Sequence, residues 1–544
     1  MCDPGEHMLN QAKLGPVDVI TGDYLAEMNL AYNAEAFRRG ENPGWISSAW
    51  DGIQKSIELL DEKRIKLIIN GGCLNPRGLA EGTHKLATEK KLNLKVAYVE
   101  GDELLPRVSD LLQKSQRLSH LDDDNPNVRL APDSDTFMRD HERMPIVSAN
   151  AYLGIRAIKR GLEQGADIII CGRVSDASPV IAAAAWWHQW PDSAFDELAG
   201  ALIAGHLIEC STYITGGNFA GFDKYPVEQL LNLGLPIVEI DHFGNSVVTK
   251  HDALNGIVTE DTVKCQLLYE LQGNIYLNSD VKADIAHIQI VQQAKNRVLV
   301  CGVKGGPPPP TTKLAVFYRG GYQAELLFNA NGYATSKKWD LQEAQLRAKL
   351  EEWGELKNLD VLEFQRPFLA YYPALVEQSQ LEESVCIIGS STSDITRQTI
   401  EPCSMTEPHA PRVNYDPIDP TSLSSFGPTV EVPLGDIALA RSGDKGANIN
   451  IGLFVPGGEQ EKWEWLRSFM TRDRMKLLMG QDWQDWFHIE RIEFTEIQAV
   501  HFVIYGPLGR GVSSSKLLDA LGKGFAEFIR AVHVPVPKRF LALE

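Results

Sequence analysis

Residues 166–190 read ADIIICGRVSDASPVIAAAAWWHQW, and residues 197–217 read ELAGALIAGHLIECSTYITGG. The apolar run Ile168 to Ile170 stops at Cys171-Gly172-Arg173-Val174-Ser175-Asp176, and a helical pattern begins at Pro179. A short, fully apolar strand is what a sheet covered on both faces selects. Such a strand opening into a polar loop and then a helix marks the edge where open α/β sheets bind their ligands.

The same unit recurs upstream. Val17 to Ile20 ends in Thr21-Gly22-Asp23, and Ile65 to Ile69 ends in Asn70-Gly71-Gly72-Cys73-Leu74-Asn75-Pro76-Arg77. Leu94 to Val99 ends in Glu100-Gly101-Asp102. Helical spacing fills Trp45 to Glu62 and Gly78 to Lys90, and Ser148 is placed to cap a helix running to Gln164. This alternation predicts a mostly parallel sheet with helices between its strands. Asp23, Asn75, Arg77, Glu100, Asp102, Arg173 and Asp176 all follow strand ends, so one shared crevice is expected. The Asp- and Asn-rich segment Ser119 to Asp135 reads as a surface excursion or lid.

From about residue 280 the period shortens. Ala283 to Val291, Arg297 to Val303, Lys313 to Tyr318 and Tyr322 to Phe328 read as strands at hairpin spacing, an α+β extension reaching residue 400. Residues 401–430 carry six prolines, Pro402, Pro408, Pro411, Pro417, Pro420 and Pro428, and form the expected linker. Residues 431–544 read as a small ferredoxin-like α/β sandwich built of two βαβ-like halves, the second helix running from Ser514 to Ile529. The predicted fold class is therefore α/β, with a domain over 1–400, a linker and a small terminal domain.

Composition bounds the function. With 53 basic against 72 acidic side chains the net charge is -19, which argues against nucleic-acid partners but leaves room for a local basic pocket. Eight scattered cysteines form no CxxC pair, so neither a disulfide framework nor a structural zinc site is expected. The amino-terminal MCDPGEHMLNQAKLGP has no apolar core of signal-peptide length, and no apolar run reaches the roughly 18 residues of a membrane span. Cytoplasm is the expected compartment, with no membrane partner.

The ordered motifs resemble the acyclic terpene utilisation family. They are Gly15 to Asp18, Tyr24 to Glu27, Asn75-Pro76, Val99 to Asp102, Ile170 to Asp176, Gly205 to Cys210, Thr215 to Gly217, Thr249-Lys250 and Lys264 to Glu270. In the terminal unit they are Ala440 to Gly446, Asn448 to Gly452 and Gly506 to Gly511. The resemblance implies a soluble protein of branched or terpenoid acid breakdown through coenzyme A esters, with a ferredoxin-like terminal domain. It also implies an earlier strand and glycine-rich loop ahead of Gly15, where this chain opens almost inside the following helix, so a shortened pocket edge is expected.

Arg173 offers a planar donor fork for a carboxylate or phosphate, and Asp176 can orient it or accept a proton; a structural ion pair closing the turn is the alternative. His206 and Glu209 stand three apart, on one face if their helix persists, suited to acid–base work or substrate contact. With Asp176 they make a weak metal signal, or they are simply satisfied helix-end groups. No cofactor is expected, since neither GxxxxGK[ST] nor GxGxxG occurs and NAD or ATP use is unsupported, and the scattered ligands assign no metal. Lys304 sits in Gly302 to Pro310, which reads either as a proline-stiffened turn or as a phosphate cradle. Asp444, Lys445 and Arg510 lie in glycine-bearing loops that either close over an anion or pin the domains together. Trp186, Trp187 and Trp190 read as packing.

The predicted activity is an enzyme acting on an acyl-CoA or carboxylate substrate, by hydratase or lyase chemistry. Asp176, His206 and Glu209 are its catalytic candidates. Asp23, Asn75, Arg77, Glu100, Asp102, Arg173, Lys304, Asp444, Lys445 and Arg510 are its binding candidates. A non-enzymatic partner of an acyl-CoA carboxylase system and a hydrolase using Cys210 or Ser175 are the alternatives. A homo-oligomer is compatible with the sequence.

Overall fold

The computed structural model describes residues 3–115, 117–132, 134–323, 329–352, 366–515 and 517–541. Its centre is a six-stranded sheet. Val19–Gly22, Lys66–Ile69, Ile168–Ile170 and Val96–Glu100 lie parallel, in that spatial order. Ser384–Ile388 and Ile395–Thr399 then extend the sheet antiparallel, Ser384 opposite Glu100. The apolar runs are explained by two separate cores. Ile68, Ala97 and Ile169 point into one, and Leu67, Ile69, Ile168 and Ile170 into the other. Because alternate residues of a strand face opposite sides, a strand buried on both sides has no position left for a polar residue.

The extension is antiparallel. Ile146–Ala151, Thr311–Gln323 and Arg366–Glu377 form one sheet, Thr311–Gln323 in the middle. Ser148 therefore belongs to a strand, and the helix expected from it starts only at Arg156. The apolar pairing partners Leu314, Val316 and Phe317 draw Ile146–Ala151 into the sheet against its local helical spacing. Of the strand expected over Tyr322 to Phe328, residues 324–328 lie outside the described residues.

The terminal domain carries a four-stranded antiparallel sheet in the order Leu439–Lys445, Asn448–Phe454, Ala499–Tyr505, His488–Phe494, beside the antiparallel pair Thr429–Pro433 and His533–Pro537. Its two halves are hairpins followed by helices, not βαβ units. Lys445 pairs with Asn448 across a tight turn that holds Gly446 at φ 65°, a conformation that favours glycine. Among the described residues of this segment helix occupies Phe525–Ala531 only, and residues 514–515 and 517–524 form turns and bends instead.

The Ser119–Asp135 segment is not a free excursion. His120 and Asp122 are buried, Leu121 N–H donates to the Pro373 carbonyl at 2.9 Å, and Asn448 donates to Asp122 at 3.0 Å. Its polar residues serve the contact with the terminal domain.

Candidate active site

A cavity of about 1280 Å³ opens beyond the carboxyl ends of Val19–Gly22 and Ile168–Ile170. The large and terminal domains both line it. One arm is apolar, with Val180, Ala183, Ala184 and Trp187 from the helix Ser178–Trp187 and Ile237 and Ile240 from Pro236–Ile240. The other end is strongly polar.

Arg173 organises one side of that polar end. Its side chain is buried at 1 % exposure, donates to the Leu25 carbonyl and to Asp176, and stacks 3.9 Å from the Tyr152 ring centroid. A guanidinium so occupied positions Asp176 and does not itself offer a free fork to substrate. Asp176 lines the cavity, and the chain turns sharply at Asp176-Ala177, with Ala177 at φ 64°. Beside it, Glu27 accepts from Lys313 at 3.0 Å and from the Tyr152 hydroxyl at 3.0 Å. Burial works against the ionised forms of Glu27 and Asp176. Lys313 and Arg173 outweigh it at Glu27, and Arg173 and Lys313 outweigh it at Asp176, so both sit below the usual carboxylate range. Asp23 goes the other way: burial and the Asp176 charge raise it despite Arg173 and the hydrogen bond from Asn70.

The second cluster comes from two helix ends. The helix Phe195–Ile208 stops just before Glu209, whose backbone is extended, and Cys210 and Ser211 follow at φ 61° and 62°. Two consecutive left-handed residues without glycine cost about 1–3 kcal/mol each, and neighbours must hold them. Gln266 supplies that hold, its side-chain amide donating to the carbonyls of His206 (3.1 Å) and Glu209 (3.3 Å). His206 is buried and packs edge-on to Tyr276 at 4.3 Å. Its Nδ1 lies 3.1 Å from Glu209 Oε1, off the line of a hydrogen bond, and Nε2 has no partner among the described residues. Glu270, at the end of Glu260–Tyr269, completes the group and accepts from Lys445. One ligand atom from each of His206, Glu209 and Glu270 lies within 4.8 Å of the other two.

Burial and the neighbouring Glu270 push Glu209 up to about 8, against the pull of His206. His206 is also raised, because Glu209 and Glu270 overcome the burial that would lower it. The pair thus keeps a proton at neutral pH. Burial would raise Glu270 too, but Lys445 and His206 hold it low, and Lys445 stays charged.

Lys445 reaches the large domain because small residues let the two approach. A Cβ on Gly443 would meet the Tyr269 ring at 2.5 Å, and one on Gly452 would meet Leu268 at 2.5 Å. Asn450 donates to the carbonyls of Tyr269 and Leu271, which ties down the chain on either side of Glu270. Asp444 lines the same cavity, raised to about 6 by burial and the Glu27 charge. Lys523 lies 3.3 Å from the Tyr269 hydroxyl and also reaches the cavity.

Of the sequence candidates, Asp23, Asp176, Glu209, Asp444 and Lys445 line this cavity, with Arg173 and His206 directly behind them. Asp102 is a support: its carboxylate accepts from the Arg173 N–H (2.9 Å) and from Asn150 (3.0 Å). The others lie elsewhere. Asn75 caps the helix Pro76–Glu89 through Gly78 N–H, and Arg77 pairs with Glu81 on the surface. Glu100 faces Cys386 and Arg397, because the antiparallel strand Ser384–Ile388 covers that edge. Lys304 pairs with Asp196, 71 % exposed, and Arg510 lies over the Phe368 ring. Trp190 is buried packing, while Trp187 contributes to the apolar arm.

Sequence reasoning missed Glu27, Gln266, Glu270 and Lys313. The signal for Gln266 and Glu270 was polar residues, with Lys264, set into the largely apolar VKCQLLYEL; for Lys313 it was a lone cation opening the apolar run LAVFY.

The chain matches the acyclic terpene utilisation family protein AtuA over residues 1–386 and the AtuA ferredoxin-like domain over residues 432–535. It belongs to the acyclic terpene utilisation family. No curated protein and no solved structure matches it. Family membership and the His206–Glu209–Glu270 group are consistent with a catabolic, enzymatic role. Among the described residues, no helix is long and apolar enough to cross a membrane.

Proposed function

We propose that the protein is an enzyme of branched-chain or terpenoid acid breakdown, acting on an acyl-CoA or related carboxylic acid by hydratase or lyase chemistry. The observation that carries this reading is the two-ended cavity, a hydrocarbon arm leading to a cluster of ionisable groups drawn from both domains. The acyl chain lies along Val180, Ala184 and Ile237, and its carbonyl faces Lys445. That fixed cation stabilises the charge that develops on the carbonyl oxygen when a proton leaves the adjacent carbon. Asp176, oriented by Arg173, or the His206–Glu209 pair moves the proton.

A scaffold would be expected to have a shallow, unpolarised crevice, which this deep and charged cavity is unlike. The hydrolase alternative is weakened on both its nucleophiles. The Cys210 thiol bonds to the Tyr269 hydroxyl, and burial beside Glu209 and Glu270 pushes it well up. The Ser175 hydroxyl is engaged by Ser279 at 2.5 Å.

Mass-spectrometric screening of acyl-CoA esters and free branched acids tests the proposal. Conversion is expected for a branched substrate and to be lost in Asp176→Asn and His206→Ala. Full turnover in both variants would refute the acid–base scheme.

A further inference from the structure

Around the polar end of the cavity, carboxyl groups outnumber lysines. Asp23, Glu27, Asp176, Glu209, Glu270 and Asp444 stand against Lys313, Lys445 and Lys523. A pocket for an acyl or carboxylate head group that is this rich in carboxyl groups can accommodate a further cation in place of the protons they hold.

The His206–Glu209–Glu270 group has the geometry to hold one. Its three ligand atoms lie within 4.8 Å of one another, the span around a single ion. One imidazole and two carboxylates suit a divalent first-row metal such as zinc or manganese. A second observation points the same way. His206 is 97 % buried, since only 3 % of it is exposed, and neither ring nitrogen has a hydrogen-bond partner, although one lies 3.1 Å from Glu209. A buried imidazole with both nitrogens unsatisfied costs roughly 1–3 kcal/mol per group. Coordination through one nitrogen removes the cost at that nitrogen, which a hydrogen bond off its line does not. The supports are those of a rigid ligand set: Gln266 fixes the carbonyls of His206 and Glu209, and Tyr276 holds the ring edge-on.

We propose that His206, Glu209 and Glu270 bind one divalent metal ion of the zinc or manganese class, with open coordination positions facing the cavity. Glu209, Glu270 and Tyr276 all line the cavity wall, so those positions point at substrate. The Lys445 ammonium on Glu270 occupies the neighbouring space and competes with the ion. The inference rests on the reading of this cavity as a substrate pocket only for what the metal does there; Asp176 then carries the proton transfer alone.

The test uses the full chain, stripped with chelator, titrated with Zn²⁺ or Co²⁺ alone. One ion per chain is expected by calorimetry and elemental analysis, with a cobalt absorption band indicating nitrogen and oxygen ligation. His206→Ala and the near-isosteric Glu270→Gln are each expected to weaken binding by more than the roughly 10–100-fold that loss of an outer-shell partner costs. Lys445→Met is expected to tighten it. Absence of stoichiometric binding, undiminished binding in both ligand variants, or weaker binding in Lys445→Met would overturn the site. Turnover of an acyl substrate by the chelated protein would overturn the metal and leave the proposed reaction standing. Stoichiometric metal without turnover of any acyl or carboxylate substrate would do the reverse.

Discussion

Lys445, at the tip of a hairpin in the terminal domain, donates to the carboxylate of Glu270, at the end of a helix in the large domain. The pair is mostly buried, with side-chain exposures of 19 % and 10 %. It joins the domains at the floor of the cavity, so neither domain alone contains the whole site.

A buried pair loses most when one member remains without the other. In chelator, Lys445→Met is expected to cost about 3 kcal/mol and Glu270→Gln a similar amount, while the double variant recovers most of it. A double-mutant cycle on thermal midpoints measures this. Additive losses would mean the two charges do not interact.

Arg173 carries a prediction of a different kind. Its guanidinium serves the Leu25 carbonyl, Asp176 and the Tyr152 face at once. A lysine keeps the charge but has no planar fork. Arg173→Lys is therefore expected to cost about 2–4 kcal/mol through lost charge-assisted hydrogen bonds and stacking. Turnover should fall through kcat, because Asp176 is misplaced, with KM little changed. A variant affected only in KM would instead mark Arg173 as a substrate contact.

The sheet was legible in the sequence for a simple reason. Ile168 to Ile170 and Leu67 to Ile69 are buried on both faces, and an unbroken apolar triplet is the direct record of that. Asp176 was legible because it follows such a run at short range, and His206 and Glu209 because they stand three apart at the end of an apolar helix. Glu270, Gln266 and Lys313 stand out locally only as polar residues beside apolar ones, and the long-range contacts that bring them to the site leave no local pattern. Lys445 meets Glu270 only because Gly443 and Gly452 let a strand pair lie against a distant helix. The same limit explains Asn75 and Arg77. A turn residue after a strand can cap the next helix as readily as face a ligand, and Asn75 accepts from Gly78 N–H at 2.9 Å.

His501 predicts acid sensitivity in the terminal domain. It is 1 % exposed, and burial pulls it down to about 3 from its ordinary value near 6.5. The folded protein keeps it neutral while the unfolded chain takes up a proton, so unfolding gains protons as the pH falls. Its contribution is complete above pH 6.5 and is lost progressively toward pH 3, by about 1.4 kcal/mol per pH unit. His501→Gln should flatten that slope. The gap between wild type and variant is expected to shift by roughly 2–3 kcal/mol in favour of the variant between pH 7 and pH 4.5. An unchanged gap in thermal midpoint would mean that His501 is protonated in the folded state.

The close approach of two helices supplies the last prediction. Gly205, directly before His206, packs against Ala177, directly after Asp176, and a Cβ on Gly205 would stand 2.4 Å from the Ala177 Cβ. The contact therefore sets the separation of the two candidate catalytic segments. Gly205→Ala is expected to cost about 1–3 kcal/mol as overpacking and to lower turnover by moving His206. Ala177 is itself held at φ 64°, so Ala177→Gly relieves backbone strain of about 1–2 kcal/mol while removing the obstructing methyl. The two changes together should restore part of the stability and part of the turnover lost with Gly205→Ala alone. A Gly205→Ala protein with wild-type midpoint and turnover would show that the helices yield freely at this point, and that something other than this contact sets the spacing of Asp176 and His206.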